Sequence, residues 1–342
     1  MLILRNILGL VLELLLTFSI SSGFPCYFAK NECPNKDIGF WFYTKNSSET
    51  PQLLDSTNIL QSGIQPQPFL EILIHGLSLN KDKSPNAELR PLLLEYVNAD
   101  VISVDYEPLA ALPCLYPWAI ENSRVVAKCL AEVLKELVAN GIYTPKNIHI
   151  IGFSLGAQIA GLAANYMDFR IGKITALDPA AWGFISNDPA DKLDTSDADF
   201  VDVIHTDPFL FSFIQPVGHA DFYPNLESVI QPGCSFTEER RNCNHFRSVI
   251  YYAESITTNI GFWSYYCGNF VHYMLNQCHH FDVENQLMGY YVSPKARGSY
   301  FLSTASSSPF AMGPPAQTEL VVVNGVIQAI TGSKINVDKI FE

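Results

Sequence analysis

Gly152-Phe153-Ser154-Leu155-Gly156 sets a serine between two glycines. It stands where an apolar run, Asn147-Ile148-His149-Ile150-Ile151, gives way to a small-residue helical pattern carrying Ala157, Ala160, Gly161, Ala163 and Ala164. Strand, sharp turn and helix in that order are the context of a G-x-S-x-G nucleophile elbow. The turn is so tight that a side chain at either flanking position would strike the neighbouring strand or helix, and glycine also accepts unusual backbone angles. Ser154 would then stand proud with its hydroxyl at a helix N-terminus. A bare pattern of this length arises by chance; the strand before it and the helix after it argue against chance.

A serine hydroxyl is a poor nucleophile at neutral pH. It needs a histidine base, a carboxylate that orients the base, and donors for an oxyanion. At such elbows the chain order is Ser, then acid, then His. Asp178 ends the next apolar strand, Lys173-Ile174-Thr175-Ala176-Leu177-Asp178-Pro179, and is expected at the same sheet edge as Ser154. The plainer reading is a turn before proline. Six histidines follow: His205, His219, His245, His272, His279 and His280. His245 is the chosen base, because Cys243-Asn244-His245-Phe246-Arg247 follows a disulfide candidate that would fix the loop's position. His205, closing an apolar strand, and His219, before Ala220-Asp221-Phe222, read as hydrogen-bonded structural histidines. Upstream, Ile72-Leu73-Ile74-His75-Gly76-Leu77 is an apolar strand ending in His-Gly. Its loop amide at Leu77 would pair with that of Leu155 as an oxyanion hole, and His75 would support the loop.

The elements that must carry these residues alternate. Strands are expected at 39–44, 69–75, 100–105, 147–152, 173–177, 200–205 and 298–303, with helices at 119–140 and 155–168. Strands joined by crossover helices imply an α/β chain with a mostly parallel central sheet flanked by helices. Asn324-Gly325 between Val321-Val322-Val323 and Val326-Ile327 implies a short hairpin. The Ser-, Ala- and Pro-rich stretch 303–315 reads as a loop.

The chain has 342 residues, 48% hydrophobic and 16% charged, enough for a large core. Arg5 precedes an apolar run from Ile7 to Ile20, broken by Gly9, Glu13, Thr17 and Ser19, and then Ser21-Ser22-Gly23. Residues 1–23 therefore read as a signal peptide, and the run is short for a membrane anchor of about 20 residues. A secreted, extracellular chain is expected, with no transmembrane segment. The eight cysteines fit an oxidising compartment. They fall in local couples, Cys26 with Cys33, Cys114 with Cys129, Cys234 with Cys243 and Cys267 with Cys278, although eight cysteines allow about 105 pairings. No couple has zinc-site spacing, and serine chemistry calls for no cofactor or metal. Asn46-Ser47-Ser48 is a glycosylation acceptor in an exported chain. A formal net charge of -13 repels nucleic acid and anionic bilayers, leaving neutral or zwitterionic interfaces open.

Taken together the residues resemble the pancreatic lipase superfamily, and especially its secreted insect lipase and phospholipase A1 branch. The resemblance is carried in family order by Cys33-Pro34-Asn35, Ile74-His75-Gly76, Gly152 to Gly156, Leu177-Asp178-Pro179-Ala180, Phe200 to Thr206, Val217 to Asn225, Gln231-Pro232-Gly233-Cys234 and Cys243-Asn244-His245. It implies an α/β-hydrolase fold over 24–342, with Ser154, Asp178 and His245 as nucleophile, acid and base. The implied partner is a lipid at a membrane, micelle or lipoprotein surface. Yolk-protein relatives lack the serine; this chain keeps all three residues. Two departures bear on substrate. Pancreatic-type lipases carry a long amphipathic lid, whereas Cys234 and Cys243 enclose only Ser235 to Asn242, and as helix that spans about 12 Å. The loop from Asp207 to Val217 is also short, and no C-terminal lipid-binding sandwich is expected. Phospholipase A1 relatives resemble the chain in both respects, so sn-1 deacylation of a phospholipid is the leading expectation. A neutral triacylglycerol lipase is the close alternative, and a yolk-like lipid carrier the distant one. Pro208 to Ile214 and Phe262 to Tyr266 are either an apolar rim or core. Trp182 stands where relatives often have proline. Asp194 and Asp197 resemble a calcium-binding pair of some relatives, which two carboxylates alone do not make.

Overall fold

The computed structural model describes residues 26–235, 239–268, 270–275, 277–278, 285–314, 318–323 and 326–331. The signal-peptide reading, Phe236, His279, His280 and the Asn324-Gly325 turn lie outside them.

Eleven strands share one sheet: β1 (Gly39–Tyr43), β2 (Gln52–Leu54), β3 (Phe69–Ile74), β4 (Ala99–Asp105), β5 (Ile148–Phe153), β6 (Ile171–Leu177), β7 (Ala198–Ile204), β8 (Ala220–Pro224), β9 (Phe262–Tyr266), β10 (Gln286–Met288) and β11 (Gly298–Leu302). Their order is β10-β9-β11-β8-β7-β6-β5-β3-β4-β1-β2. The block from β11 to β4 is parallel, and the flanking strands are antiparallel. Helices α1 (Asn86–Tyr96), α2 (Glu107–Ala110), α3 (Tyr116–Ala139), α4 (Leu155–Ala164), α5 (Glu239–Thr257) and α6 (Phe270–Met274) complete the main body. This is the α/β-hydrolase fold. A separate antiparallel pair, β12 (Thr318–Val323) and β13 (Val326–Thr331), is the expected hairpin.

Strand parity divides the core. Leu70, Ile72, Ile150, Ile174 and Val201 pack toward α3 and α4, whereas Leu73, Ile151, Leu177 and Ile204 pack toward α1 and α5. A strand covered on both faces needs apolar residues at both parities, which is why β3 and β5 read as apolar runs broken only by Glu71 and His149. Leu155 to Ala163 are all buried, so α4 is covered all round. It ends at Ala164, short of the expected 168, because the amides of Asn165, Tyr166 and Met167 reach back only three residues and tighten the last turn.

Four short strands, β2, β8, β9 and β10, escaped the sequence reading. β8 slots between β7 and β11. Of the two candidate rim segments, Phe262 to Tyr266 is β9, with Phe262 and Ser264 buried.

Two of the four cysteine couples are corrected. The bonds are Cys26–Cys114, Cys33–Cys129, Cys234–Cys243 and Cys267–Cys278. Cys129 lies well inside α3 and Cys114 just before it, so at ~1.5 Å per residue they stand about 20 Å apart, against a limit of about 7 Å for a bridge. The N-terminal segment lies along this helix instead: Ala29 N donates to Asn122 Oδ1 at 2.8 Å, and Lys128 Nζ to Asn31 Oδ1 at 3.0 Å. An extended chain from Cys26 to Cys33 covers about the same ~20 Å, so each cysteine meets one on the helix side.

Peptide mapping under non-reducing conditions should therefore join the Cys26 peptide to that of Cys114 and the Cys33 peptide to that of Cys129. With sequence separations of 88 and 96, loss of either bond through Cys114→Ser or Cys33→Ser should cost about 4 to 5 kcal/mol in denaturant unfolding. Recovery of a Cys26–Cys33 or Cys114–Cys129 peptide refutes the arrangement.

Candidate active site

The site forms where β3, β5, β6 and β7 end at one edge of the parallel block. β5 runs to Phe153, and Ser154 turns the chain into α4 with φ 56° and ψ -120°, a strained conformation for a residue with a side chain. A Cβ on Gly152 would fall inside the backbone of Gly156 and Ala157, and one on Gly156 inside that of Ile74 and His75. Both glycines of the elbow are therefore required by close backbone approach. The turn is pinned by Ser154 N donating to Leu177 O at 3.0 Å, while Ala180 N donates to Ser154 O at 3.2 Å.

Asp178 follows β6 with φ 46° and is fully buried. Its Oδ1 accepts the Thr206 and Asp207 amides at 2.7 and 2.9 Å, and its Oδ2 lies 2.5 Å from His245 Nδ1. Donors on both oxygens leave the carboxylate one orientation. With Nδ1–H engaged, the neutral imidazole keeps Nε2 as its acceptor nitrogen. His245 lies in the first turns of α5, not in a loop as expected, and Cys234–Cys243 ties that helix start to the preceding segment. Its ring packs between Phe153 and Phe211, at centroid distances of 4.5 and 4.9 Å.

Ser154 and His245 line one cleft of about 530 Å³ with Leu77, Ser78, Leu79, Tyr116, Phe153, Ala180, Trp182, Phe211, Asn242 and Phe246. Leu77 is thus at the cleft, and Leu155, as the first residue of α4, carries one of the amides that a helix start leaves without an internal partner. Ser78, Ser154 and Asp178 are three of the four non-glycine residues with positive φ among the described residues. Backbone strain thus concentrates at this cleft. Burial pushes the Tyr116 phenol up, keeping it a neutral donor, and it bonds Trp182 O at 2.7 Å. Trp182 Nε1 in turn donates to Leu210 O at 2.8 Å. The indole is thereby clamped at the cleft mouth, 65% exposed.

His75, His205 and His219 lie outside this cleft. His75 is buried and stacked on Tyr106, with the Tyr106 amide 3.2 Å from its Nε2. His219 takes the Val201 amide on Nδ1, and burial lowers its pKa. His205 faces Asp221. Sequence reasoning gave no role to the Thr206 and Asp207 amides, and it read Phe211 only as part of a rim or core segment, not as a neighbour of His245. Their only signal was adjacency to the strand Phe200 to His205.

A family model described as Lipase matches residues 22–310. The chain belongs to the lipase family. Among curated relatives of this lipase-family chain, the pancreatic triacylglycerol lipase of Myocastor coypus is 35% identical over 262 residues, 70% of this chain and 57% of that protein. The inactive pancreatic lipase-related protein 1 of Homo sapiens is 34% identical, covering 80% and 64%, and pancreatic lipase-related protein 2 of Sus scrofa is likewise 34% identical over the same shares. The chain thus spans less than two thirds of these relatives' length. A putative hydrolase of the alpha/beta superfamily from Xanthomonas campestris is similar at 20% identity over 40% of this chain and 70% of that one, with a TM-score of 0.31, and no argument rests on it.

Asp194 and Asp197 do adjoin: Asp194 N donates to Asp197 Oδ2 at 2.8 Å. Calcium takes six or more oxygens, and among the described residues no three His, Cys, Asp or Glu side chains converge. Asp197 instead sits under Gly161 of α4, where burial raises its pKa to about 8. A carboxyl raised in the fold stabilises it below the unfolded value of about 4 and loses that contribution as pH climbs to 8. In chelator-treated buffer, Asp197→Asn should flatten the decline in melting temperature between pH 5 and pH 8.5. Parallel declines in the variant and the native chain would show that Asp197 does not titrate there.

Proposed function

We propose that this chain is a secreted serine hydrolase that cleaves a carboxylic ester of a glycerolipid through an acyl-enzyme on Ser154. The observation that carries the reading is the 2.5 Å contact of Asp178 Oδ2 with His245 Nδ1, in a helix whose histidine shares its cleft with Ser154. In this reading His245 Nε2 takes the Ser154 proton as Oγ attacks the ester carbonyl, and the Leu77 and Leu155 amides bind the oxyanion. The alcohol leaves with that proton. Water then attacks the acyl-serine, with His245 again as base, and free fatty acid departs. Asp178 holds the imidazolium that forms in each half-reaction.

The finer proposal is phospholipase A1 activity, release of the sn-1 acyl chain. It is supported by the short link between Cys234 and Cys243, nine residues apart, and by a cleft whose lining includes Trp182, 65% exposed. A short charged link gives an oil droplet no apolar lid face, and without a long lid a cleft leaves room for a polar head group. A neutral triacylglycerol lipase is the second reading, favoured by the name of the coypu relative. Export fits the four disulfides, and Asn46, exposed on a turn, is the proposed glycosylation site.

Ser154→Ala and His245→Ala should each lower turnover by about 10⁴- to 10⁶-fold with the fold intact, and Asp178→Asn somewhat less. A Ser154→Ala protein that still hydrolyses ester removes the reading. With a phosphatidylcholine bearing different acyl chains, product analysis should find sn-1 fatty acid and 2-acyl lysophospholipid, formed faster than triolein is cleaved. Faster triolein turnover with a sharp rise at the interface selects the neutral lipase.

A further inference from the structure

Behind the carboxylate that holds His245 lies a second set of serine, histidine and aspartate. His205 Nε2 lies 2.9 Å from Asp221 Oδ1, and both residues are fully buried. Ser212 Oγ lies 3.4 Å from His205 Nδ1. The residue types are those of a nucleophilic site, but Ser212 is buried and is not among the cleft residues. Asp221 also accepts the amide of Val217 at 2.9 Å and that of Gly218 at 3.1 and 3.2 Å. One carboxylate therefore binds the end of β7, through His205, and the far end of the segment that leaves it.

That enclosed segment touches the candidate site at three points. Its first residues, Thr206 and Asp207, give the two amides on Asp178 Oδ1. Phe211 packs on the His245 ring. Leu210 O holds the indole of Trp182. The His205 ring is stacked on Tyr223 at 4.5 Å with planes 6° apart, and Tyr223 OH donates to Ile214 O at 3.1 Å, so the same cluster fastens the middle of the segment.

We propose that His205 and Asp221 are positioning residues for the hydrolytic site: their buried pair fixes the 206–218 segment, and through it the orientation of the Asp178 carboxylate and the seat of His245. The proposal rests on the reading of Ser154, Asp178 and His245 given above. The pair transfers no proton to substrate. Asp221 accepts from Nε2–H, and the Ser212 hydroxyl lies within reach of Nδ1, so both ring nitrogens have a partner. Among the described contacts, Asp221, Ser212 and Tyr223 are the groups that face His205, and Asp221 alone brings a carboxylate. A misplacement of about 1 Å at a site of this kind costs on the order of 10²-fold in rate, so a loosened segment is felt in turnover before it is felt in binding.

The test compares His205→Phe and Asp221→Asn with the native protein. Phenylalanine keeps the stack on Tyr223 and removes the donor to Asp221. Asparagine keeps the acceptor for the amides and removes the charge. His205→Phe should lower kcat about 10- to 100-fold with KM changed less than about threefold. It should also move the acid limb of the kcat/KM profile to lower pH, because an Asp178 held less firmly supports less imidazolium on His245. Asp221→Asn should fall between, and it serves alone if His205→Phe does not fold. Rapid labelling of the native serine by a fluorophosphonate tests the site itself. If that labelling fails, the hydrolase reading fails. If it succeeds while folded variants match the native kcat and acid limb, the positioning role is refuted. A drop in melting temperature with an unmoved acid limb refutes it equally.

Discussion

The carboxylate of Asp178 is the point at which four parts of the chain are made to agree. It leaves β6 in a left-handed backbone conformation, takes two amides from the segment after β7, and meets a nitrogen of the helix α5. A buried carboxylate with a lone pair left without a donor is costly, so each partner is held by the cost of losing it. The neighbouring strand end is coupled to it as well, since Ser154 N bonds the last carbonyl of β6. A change in any one of these segments is therefore a change at all of them.

The parallel sheet makes that agreement possible. β3, β5, β6 and β7 run side by side in fixed register, so Ile74 pairs with Gly152, Phe153 with Leu177, and Leu177 with Ile204. The loops that follow are then delivered to one edge at one level. Register is enforced by the two-faced core, because a slip by one residue would exchange the faces that meet α3 and α4 with those that meet α1 and α5. The strain at Ser154, about 1 to 3 kcal/mol for such a residue, is borne by this packed surround.

Much of this was legible because its causes are local. Gly152 and Gly156 flank Ser154 for a reason that five residues display, and Asp178 could be read from the strand that ends on it. The choice of His245 leaned on Cys243 beside it, and the proximity of the two holds although the loop proved to be a helix. The cysteine couples failed where nearness in sequence stood in for nearness in space. Cys26 and Cys33 are separated by an extended segment that runs beside α3, and only the helix's length and the direction of that segment decide the partners. β8 was unread as a strand because Ala220-Asp221-Phe222-Tyr223-Pro224 shows no alternation; its aspartate is buried by a histidine on β7's far end rather than by any pattern of its own. The role of Phe211 depends on a contact with a residue 34 positions away, 245 less 211, and no local signal carries it.

The crossing of Cys26–Cys114 and Cys33–Cys129 has a consequence when a protease cuts the chain. A cut anywhere between Cys33 and Cys114 breaks a peptide bond, yet the pieces stay joined twice by sulfur. Exposed stretches such as 60–67 lie in that interval. Ser154, Asp178 and His245 all lie beyond it, on one uninterrupted piece. Such a cut leaves a nicked molecule rather than two fragments, and the covalent continuity of the site outlasts that of the backbone.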